Sequence, residues 1–218
     1  MELLKVCGVR KRYPGAERDA VGTCGFTLSG GECIFIQGVS GSGKSTLLLM
    51  LGGLLTPTDG RILWGGRELY AMGDRELSAW RGKEAGYLFQ NSQLAQALTV
   101  RENLLLARHL GSNPKADVDA MLRELELTEE ARRLPGQLSG GQRRRAMIGC
   151  VLAREPRLIL ADEPTNDLDV RWAGRMMELL RSRTDESRAL VLVSHDPRWI
   201  PDGAIRCVME DGVLRRNP

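Results

Sequence analysis

Three short stretches, in a fixed order, carry residues suited to nucleoside triphosphate chemistry. Gly38-Val39-Ser40-Gly41-Ser42-Gly43-Lys44-Ser45 fits the pattern G-x-x-x-x-G-K-[ST], a phosphate-binding loop. Its glycines let the backbone turn and approach phosphate oxygens closely. Exposed N–H groups and a following helix N-terminus then favour negative charge. Lys44 supplies a point charge for the β- and γ-phosphates, and Ser45 offers a hydroxyl to Mg²⁺. Leu158-Ile159-Leu160-Ala161-Asp162-Glu163 is an apolar run ending in two carboxylates. Asp162 is placed for the Mg²⁺ shell and Glu163 for polarising an attacking water. Taken alone, Asp-Glu-Pro also suits an acidic helix start. Between these two stretches lies Leu138-Ser139-Gly140-Gly141-Gln142, a small-residue turn ahead of an amphipathic segment. Such a turn is either a second anion cradle or an ordinary N-cap.

These side chains need elements to carry them. Cys33–Gln37 is apolar enough for a buried strand before the loop. The segment 44–55 reads as a helix with Leu47, Leu48, Met50 and Leu51 on one face. Strand patterns recur over residues 157–161, 189–193 and 205–209. Ligands of open parallel sheets sit beyond the carboxyl ends of the strands, which places Asp162 for the Mg²⁺ shell. Strand-like runs at 3–9, 26–28 and 61–64, bounded by glycine pairs, predict an antiparallel β-portion beside this core. Residues 100–127 read as helical, with a break at Asn113-Pro114. A further helix is predicted over 142–154. It opens with Arg143, Arg144 and Arg145, which read either as a solvated face or as a nucleic-acid patch.

With these motifs in this order, the chain resembles the nucleotide-binding subunit of an ATP-binding cassette (ABC) transporter over nearly its whole length. The resemblance implies an α/β fold: a P-loop NTPase core with a mainly parallel sheet, an antiparallel β-portion, and a helical insert carrying the signature motif. It further implies one ABC ATPase domain over residues 1–218, with the insert at approximately 92–145. ATP and Mg²⁺ are the implied cofactors. The implied ATP contacts are Tyr13, Gly38, Ser40, Gly41, Ser42, Gly43, Lys44, Ser45 and Thr46, and the signature residues Ser139, Gly140, Gly141 and Gln142. In this family the signature of one subunit closes over ATP held by the loop of another, so a head-to-tail homodimer or heterodimer is implied. Tyr13 resembles the aromatic residue that stacks on adenine. Gln90 resembles the glutamine that touches Mg²⁺ and water, and His195 the histidine that bonds the γ-phosphate. The implied catalytic set is Glu163, His195, Gln90 and Lys44; the implied metal set is Ser45, Gln90 and Asp162. Asp169 resembles the acidic end of the loop that crosses the dimer interface, whereas His109 reads as a surface residue.

Composition bounds the reading. At 218 residues the chain can bury a sizeable core. A net charge of +3 is too small to argue for a nucleic-acid partner. The five cysteines are scattered without a C-x-x-C pair, which suits a reducing cytosol; Cys7 and Cys33 read as small buried hydrophobes. No leader peptide is expected, and the apolar stretch around 47–55 is too short for a bilayer, which needs about 20 residues. A transporter role therefore implies separate integral membrane permease subunits, with this chain cytoplasmic and peripheral on the inner face of the membrane. The segment between loop and signature shows no sustained heptads, unlike the coiled-coil DNA-repair relatives. Leu51-Gly52-Gly53-Leu54, Thr56-Pro57-Thr58-Asp59-Gly60 and Tyr87-Leu88-Phe89-Gln90-Asn91 resemble the lipoprotein-release and macrolide-export group. That resemblance implies export or release of lipoprotein, peptide or drug; a cell-division type of signalling ATPase and an importer ATPase are the alternatives. Two departures stand out: Asn166-Asp167 replaces the usual Gly-Asn, and Gly149-Cys150 stands where Ala-Arg is common.

Overall fold

The computed structural model describes residues 1–89, 93–113 and 115–217. The chain opens with β1 (Glu2–Lys11), β2 (Val21–Ser29) and β3 (Cys33–Gln37), then α1 (Lys44–Leu51). There follow β4 (Asp59–Trp64), β5 (Arg67–Glu68), α2 (Asp74–Lys83) and β6 (Ala85–Leu88). Next come α3 (Val100–Leu110), α4 (Val118–Glu124) and α5 (Gly140–Ala153). The last elements are β7 (Leu158–Asp162), α6 (Val170–Ser182), β8 (Ala189–Ser194), β9 (Ile205–Glu210) and β10 (Val213–Arg216).

Two sheets form. The larger has the order β10-β9-β3-β8-β7-β6, parallel throughout except for the β9–β10 hairpin. The smaller, β2-β1-β4-β5, is antiparallel. The expected division into a parallel core and an antiparallel portion is thus present. Every residue of β7 and β8 is buried, as in strands covered on both faces. Their side chains alternate between two cores. Ile34, Ile36, Leu160, Val191 and Val193 join α1 and the antiparallel sheet. Phe35, Ile159, Ala161, Leu190 and Leu192 join α3, α4, α5 and α6. Each fully buried Leu, Ile or Val contributes about 1.5–3 kcal/mol relative to exposure. This two-sided burial keeps the strand ends in fixed positions.

Element ends differ modestly from the sequence reading. The helix predicted to run to residue 55 stops at Leu51, where Gly52 and a left-handed Gly53 (φ 69°) close it. The region 100–127 divides into α3 and α4. The first of these starts on a reciprocal cap: Thr99 Oγ1 accepts from the Glu102 N–H, and Glu102 Oε2 accepts from the Thr99 N–H. His109 is exposed, as expected. Cys33 is buried, but Cys7 is only half-buried.

Candidate functional site

Strand order places the chemistry. The strands β3, β7 and β8 are neighbours in the parallel sheet, and their carboxyl ends deliver the phosphate loop, Asp162 and Ser194-His195 to one edge. There a cavity of about 630 Å³ is lined by Ser40, Gly41, Gly43, Lys44, Ser45, Thr46, Asp162, Glu163 and His195, with Ala20, Val39 and Asn166 completing the wall.

The loop is shaped by its glycines. Gly43 has φ 102°, and a Cβ there would stand 2.1 Å from the Ala20 carbonyl oxygen. Gly38 passes so close to the Met209 carbonyl that a Cβ would sit 2.3 Å from it. Lys44 turns back across the loop, and its Nζ donates to the carbonyls of Gly38 and Val39, both at 2.7 Å, and to Ser42 Oγ at 3.3 Å. Burial lowers the Lys44 pKa, while the Glu163 and Asp162 carboxylates work against that shift. The result is a cation held at the mouth of a helix N-terminus, an arrangement that favours polyphosphate.

Ser45 Oγ donates to Asp162 Oδ2 at 2.5 Å. Burial raises the Asp162 pKa, and the bond from Ser45 opposes it. A hydroxyl and a carboxylate converging on a phosphate cradle form an oxygen donor set suited to Mg²⁺, which usually takes one or two protein oxygens plus waters and substrate phosphates.

Glu163 lies one residue beyond β7 in the left-handed region, at φ 48°. Non-glycine residues rarely adopt it, and such outliers cluster at functional sites. The carboxylate accepts from Ser194 Oγ at 2.9 Å and from the His195 N–H at 3.0 Å, and its Oε1 lies 2.8 Å from His195 Nδ1. With Nδ1 as the donor, the carboxylate sets the orientation of the imidazole. Ser194 is itself buried, and its Oγ accepts from the Asp196 N–H. Sequence reading passed over Ser194, because a serine at a strand end carries no signal of its own.

Other expected positions lie outside the cavity wall. Tyr13 is half-exposed; its hydroxyl stands 3.4 Å from Thr46 Oγ1, and Lys11 Nζ lies 5.7 Å from its ring centre. It therefore flanks the loop with a partly exposed ring. Ser139 is the N-cap of α5, accepting from the Gln142 N–H at 3.2 Å while Gln142 Oε1 accepts from the Ser139 N–H. The signature turn is thus an N-cap in this chain, with Ser139 and Gly140 exposed to solvent. Asp169 Oδ1 caps α6 by accepting from the Trp172 N–H. Gln90 lies outside the described residues.

The arginine run is not one surface. Only Arg143 is exposed. Arg145 packs over the Trp172 ring at 4.1 Å and donates to the Leu125 and Glu126 carbonyls. Arg144 is 2% exposed and reaches the main chain around Glu163. Neither the solvated face nor the nucleic-acid patch describes Arg144, because helix α5 turns this side chain inward toward the end of β7.

Comparison with known proteins agrees with this geometry. Residues 21–166 match the family described as ABC transporter. A Thermotoga maritima protein named an uncharacterized ABC transporter ATP-binding protein is 40% identical over 191 residues, 86% of this chain and 82% of that relative. Two solved structures are similar over 98% of both chains at 30% identity. One is the dimeric post-hydrolysis state of the ATP-binding cassette MJ0796 bound to ADP and Pi, with a TM-score of 0.87. The other is the dimeric structure of MJ0796, described as a bacterial ABC transporter cassette, with a TM-score of 0.85.

Proposed function

The chain belongs to the ABC transporter family as an ATP-binding protein, and from that premise we propose that it hydrolyses ATP to ADP and phosphate to drive separate integral membrane subunits. The observation that carries this reading is the convergence of Lys44, Ser45, Asp162, Glu163 and His195 on one cavity. On this reading residues 1–218 form one cassette, its helical portion spanning approximately 92–145.

ATP enters with its adenine against the partly exposed ring of Tyr13 and its phosphates over residues 38–46. Lys44 turns from loop carbonyls toward the β- and γ-phosphates. Ser45 and Asp162 would hold Mg²⁺, with Gln90 added from the family resemblance. The metal would supply neutralisation of charge on the phosphate oxygens. Glu163 orients the attacking water and accepts its proton; the Ser194 and His195 bonds keep the carboxylate aimed at the cavity. His195 stands beside the transferred phosphoryl group and stabilises its charge.

Ser139, Gly140, Gly141 and Gln142 do not line their own chain's cavity. A second copy, related head to tail, supplies them to the γ-phosphate. The dimeric form of the MJ0796 cassettes supports this arrangement. No helix among the described residues is long and apolar enough to cross a membrane. The chain acts as a cytoplasmic, peripheral subunit on permease partners, with no nucleic-acid partner. The stretches at 51–60 and 87–91 favour export or release of lipoprotein, peptide or drug.

Glu163→Gln tests the chemistry. The variant is expected to bind ATP with wild-type affinity by calorimetry, to lose at least about 100-fold in phosphate release, and to elute as a dimer with ATP. Wild-type turnover in this variant overturns the assignment. Affinity capture of the same variant from native membranes tests the coupling. Recovery of a membrane protein with few spans and a large extracytoplasmic part supports export or release; a many-spanning permease with a solute-binding protein redirects the reading to import.

A further inference from the structure

A guanidinium in the protein interior requires partners for its donors, because an unpaired buried charge is costly. Arg144 is 2% exposed. Its Nη2 donates to the Glu163 carbonyl at 2.6 Å and the Asp162 carbonyl at 3.3 Å; Nε donates to the Pro164 carbonyl at 3.3 Å. Nη1 donates to the Phe89 carbonyl at 3.1 Å. Three consecutive peptide units at the end of β7, and one just past the end of the adjacent β6, therefore converge on one side chain. The middle of those three residues is Glu163, which occupies the left-handed region. Such a conformation is strained for a residue with a side chain and persists only where surroundings over-determine it. The Glu163 N–H donates to the Val193 carbonyl, and the Glu163 carbonyl accepts from Asn166 N as well as from Arg144. Arg144 is the side chain that completes this clamp. Its charge is also balanced through space by the nearby carboxylates of Asp167, Asp162 and Glu163.

We propose that Arg144 is a positioning residue for hydrolysis: it fixes the Glu163 peptide so that the carboxylate faces the phosphate cavity, and it ties that peptide to the helix whose N-terminus carries Ser139–Gln142. This rests on the hydrolytic role of Glu163. Arg144 does not line the cavity and acts only through the backbone it holds. A lysine keeps the charge but has no planar fork to span four carbonyls; a glutamine loses the charge as well.

The test is steady-state ATP hydrolysis by wild type, Arg144→Gln, Arg144→Lys, Glu163→Gln and the double variant Arg144→Gln/Glu163→Gln. Misplacing a reacting group by about 1 Å costs about 100-fold, so Arg144→Gln is expected to lose about that much in kcat. Its KM for ATP is expected to stay within about twofold. Arg144→Lys is expected to fall between Arg144→Gln and wild type. Because Arg144 acts through Glu163, the double variant is expected within about twofold of Glu163→Gln alone. An Arg144→Gln protein with undiminished kcat, with ATP affinity lost in step with rate, or with a loss that adds to that of Glu163→Gln overturns the inference. Should Arg144→Gln not fold, Arg144→Lys decides: reduced kcat at unchanged KM supports positioning, and wild-type kcat refutes it. A folded wild-type protein without ATPase activity, whatever the variants do, would overturn the hydrolytic reading itself and this inference with it.

Discussion

At the cavity, Gly43 and Glu163 hold backbone conformations that residues with side chains rarely adopt. Gly43 needs its missing Cβ twice, for a φ of 102° and for the approach to Ala20. Gly43→Ala is expected to lose about 1–3 kcal/mol of stability from strain alone, measured by urea unfolding, and to weaken ATP binding measured by calorimetry. A variant with unchanged midpoint and affinity would mean that the loop relaxes without cost. Glu163 is the reverse case, a residue that tolerates the left-handed region poorly but supplies the needed carboxylate. Its bonds to Ser194, His195, Asn166 and Arg144 come from four separate positions. That redundancy explains how strain persists at the point where chemistry is proposed.

At the scale of elements, helix starts recur as the places where side chains do double duty. Thr99 and Glu102 satisfy each other's backbone N–H groups at the start of α3. Thr99→Ala is expected to cost about 1 kcal/mol, read as a lower midpoint in urea at pH 7. The Thr99 backbone N–H, aided by its hydroxyl, holds the Glu102 pKa below its ordinary value. A depressed carboxylate adds stability above its unfolded pKa and loses it as pH falls through the folded one. The deficit of Thr99→Ala should therefore narrow below the usual carboxylate range; a deficit constant with pH would place the cost in the hydroxyl cap alone. Helix α5 has the same kind of cap at Ser139 but carries Arg144 one turn further on. Gly149, in the same helix, faces Leu104 and Leu125, and a Cβ would come within 2.5 Å of Leu125 Cδ1. The departure at Gly149 thus accompanies close packing of α5 against the α3 and α4 layer.

For the molecule as a whole, the sheet edge gathers the loop, Asp162, Glu163 and His195, whereas the signature turn stands apart from that cavity. A two-fold pairing that supplies the signature in trans makes a quantitative prediction. Lys44→Ala and Ser139→Arg are each expected to be inactive alone. Mixed in equal amounts, half the dimers combine one of each, and each such dimer holds one intact site of two. Activity should recover to about a quarter of wild type. No recovery in mixtures that demonstrably exchange subunits would place the signature in cis.

Parts whose chemistry is local could be read from neighbouring residues. A phosphate loop is a turn followed by a helix start, and both are written in neighbouring residues. The burial of β3 and β7 was legible as continuous apolar runs, because strands covered on both faces have few polar positions; which core each side chain joins was not. Cys7, read as buried, is half-exposed, since a strand-like run does not reveal what covers each face. Gln90 was assigned from the family resemblance alone. Meetings between residues far apart in the chain depend on the packed fold. Ser45 and Asp162 bond at 2.5 Å although 117 residues separate them, and Ser194 reaches Glu163 across 31. Arg144 is the sharpest case: as the middle of three arginines it looks like surface, and helix phase against β7 buries it. Local spacing sets which groups are available. The packing of α5 and β8 against β7 sets which of them share a site, because burial forces each donor to find the acceptor that the fold brings within reach.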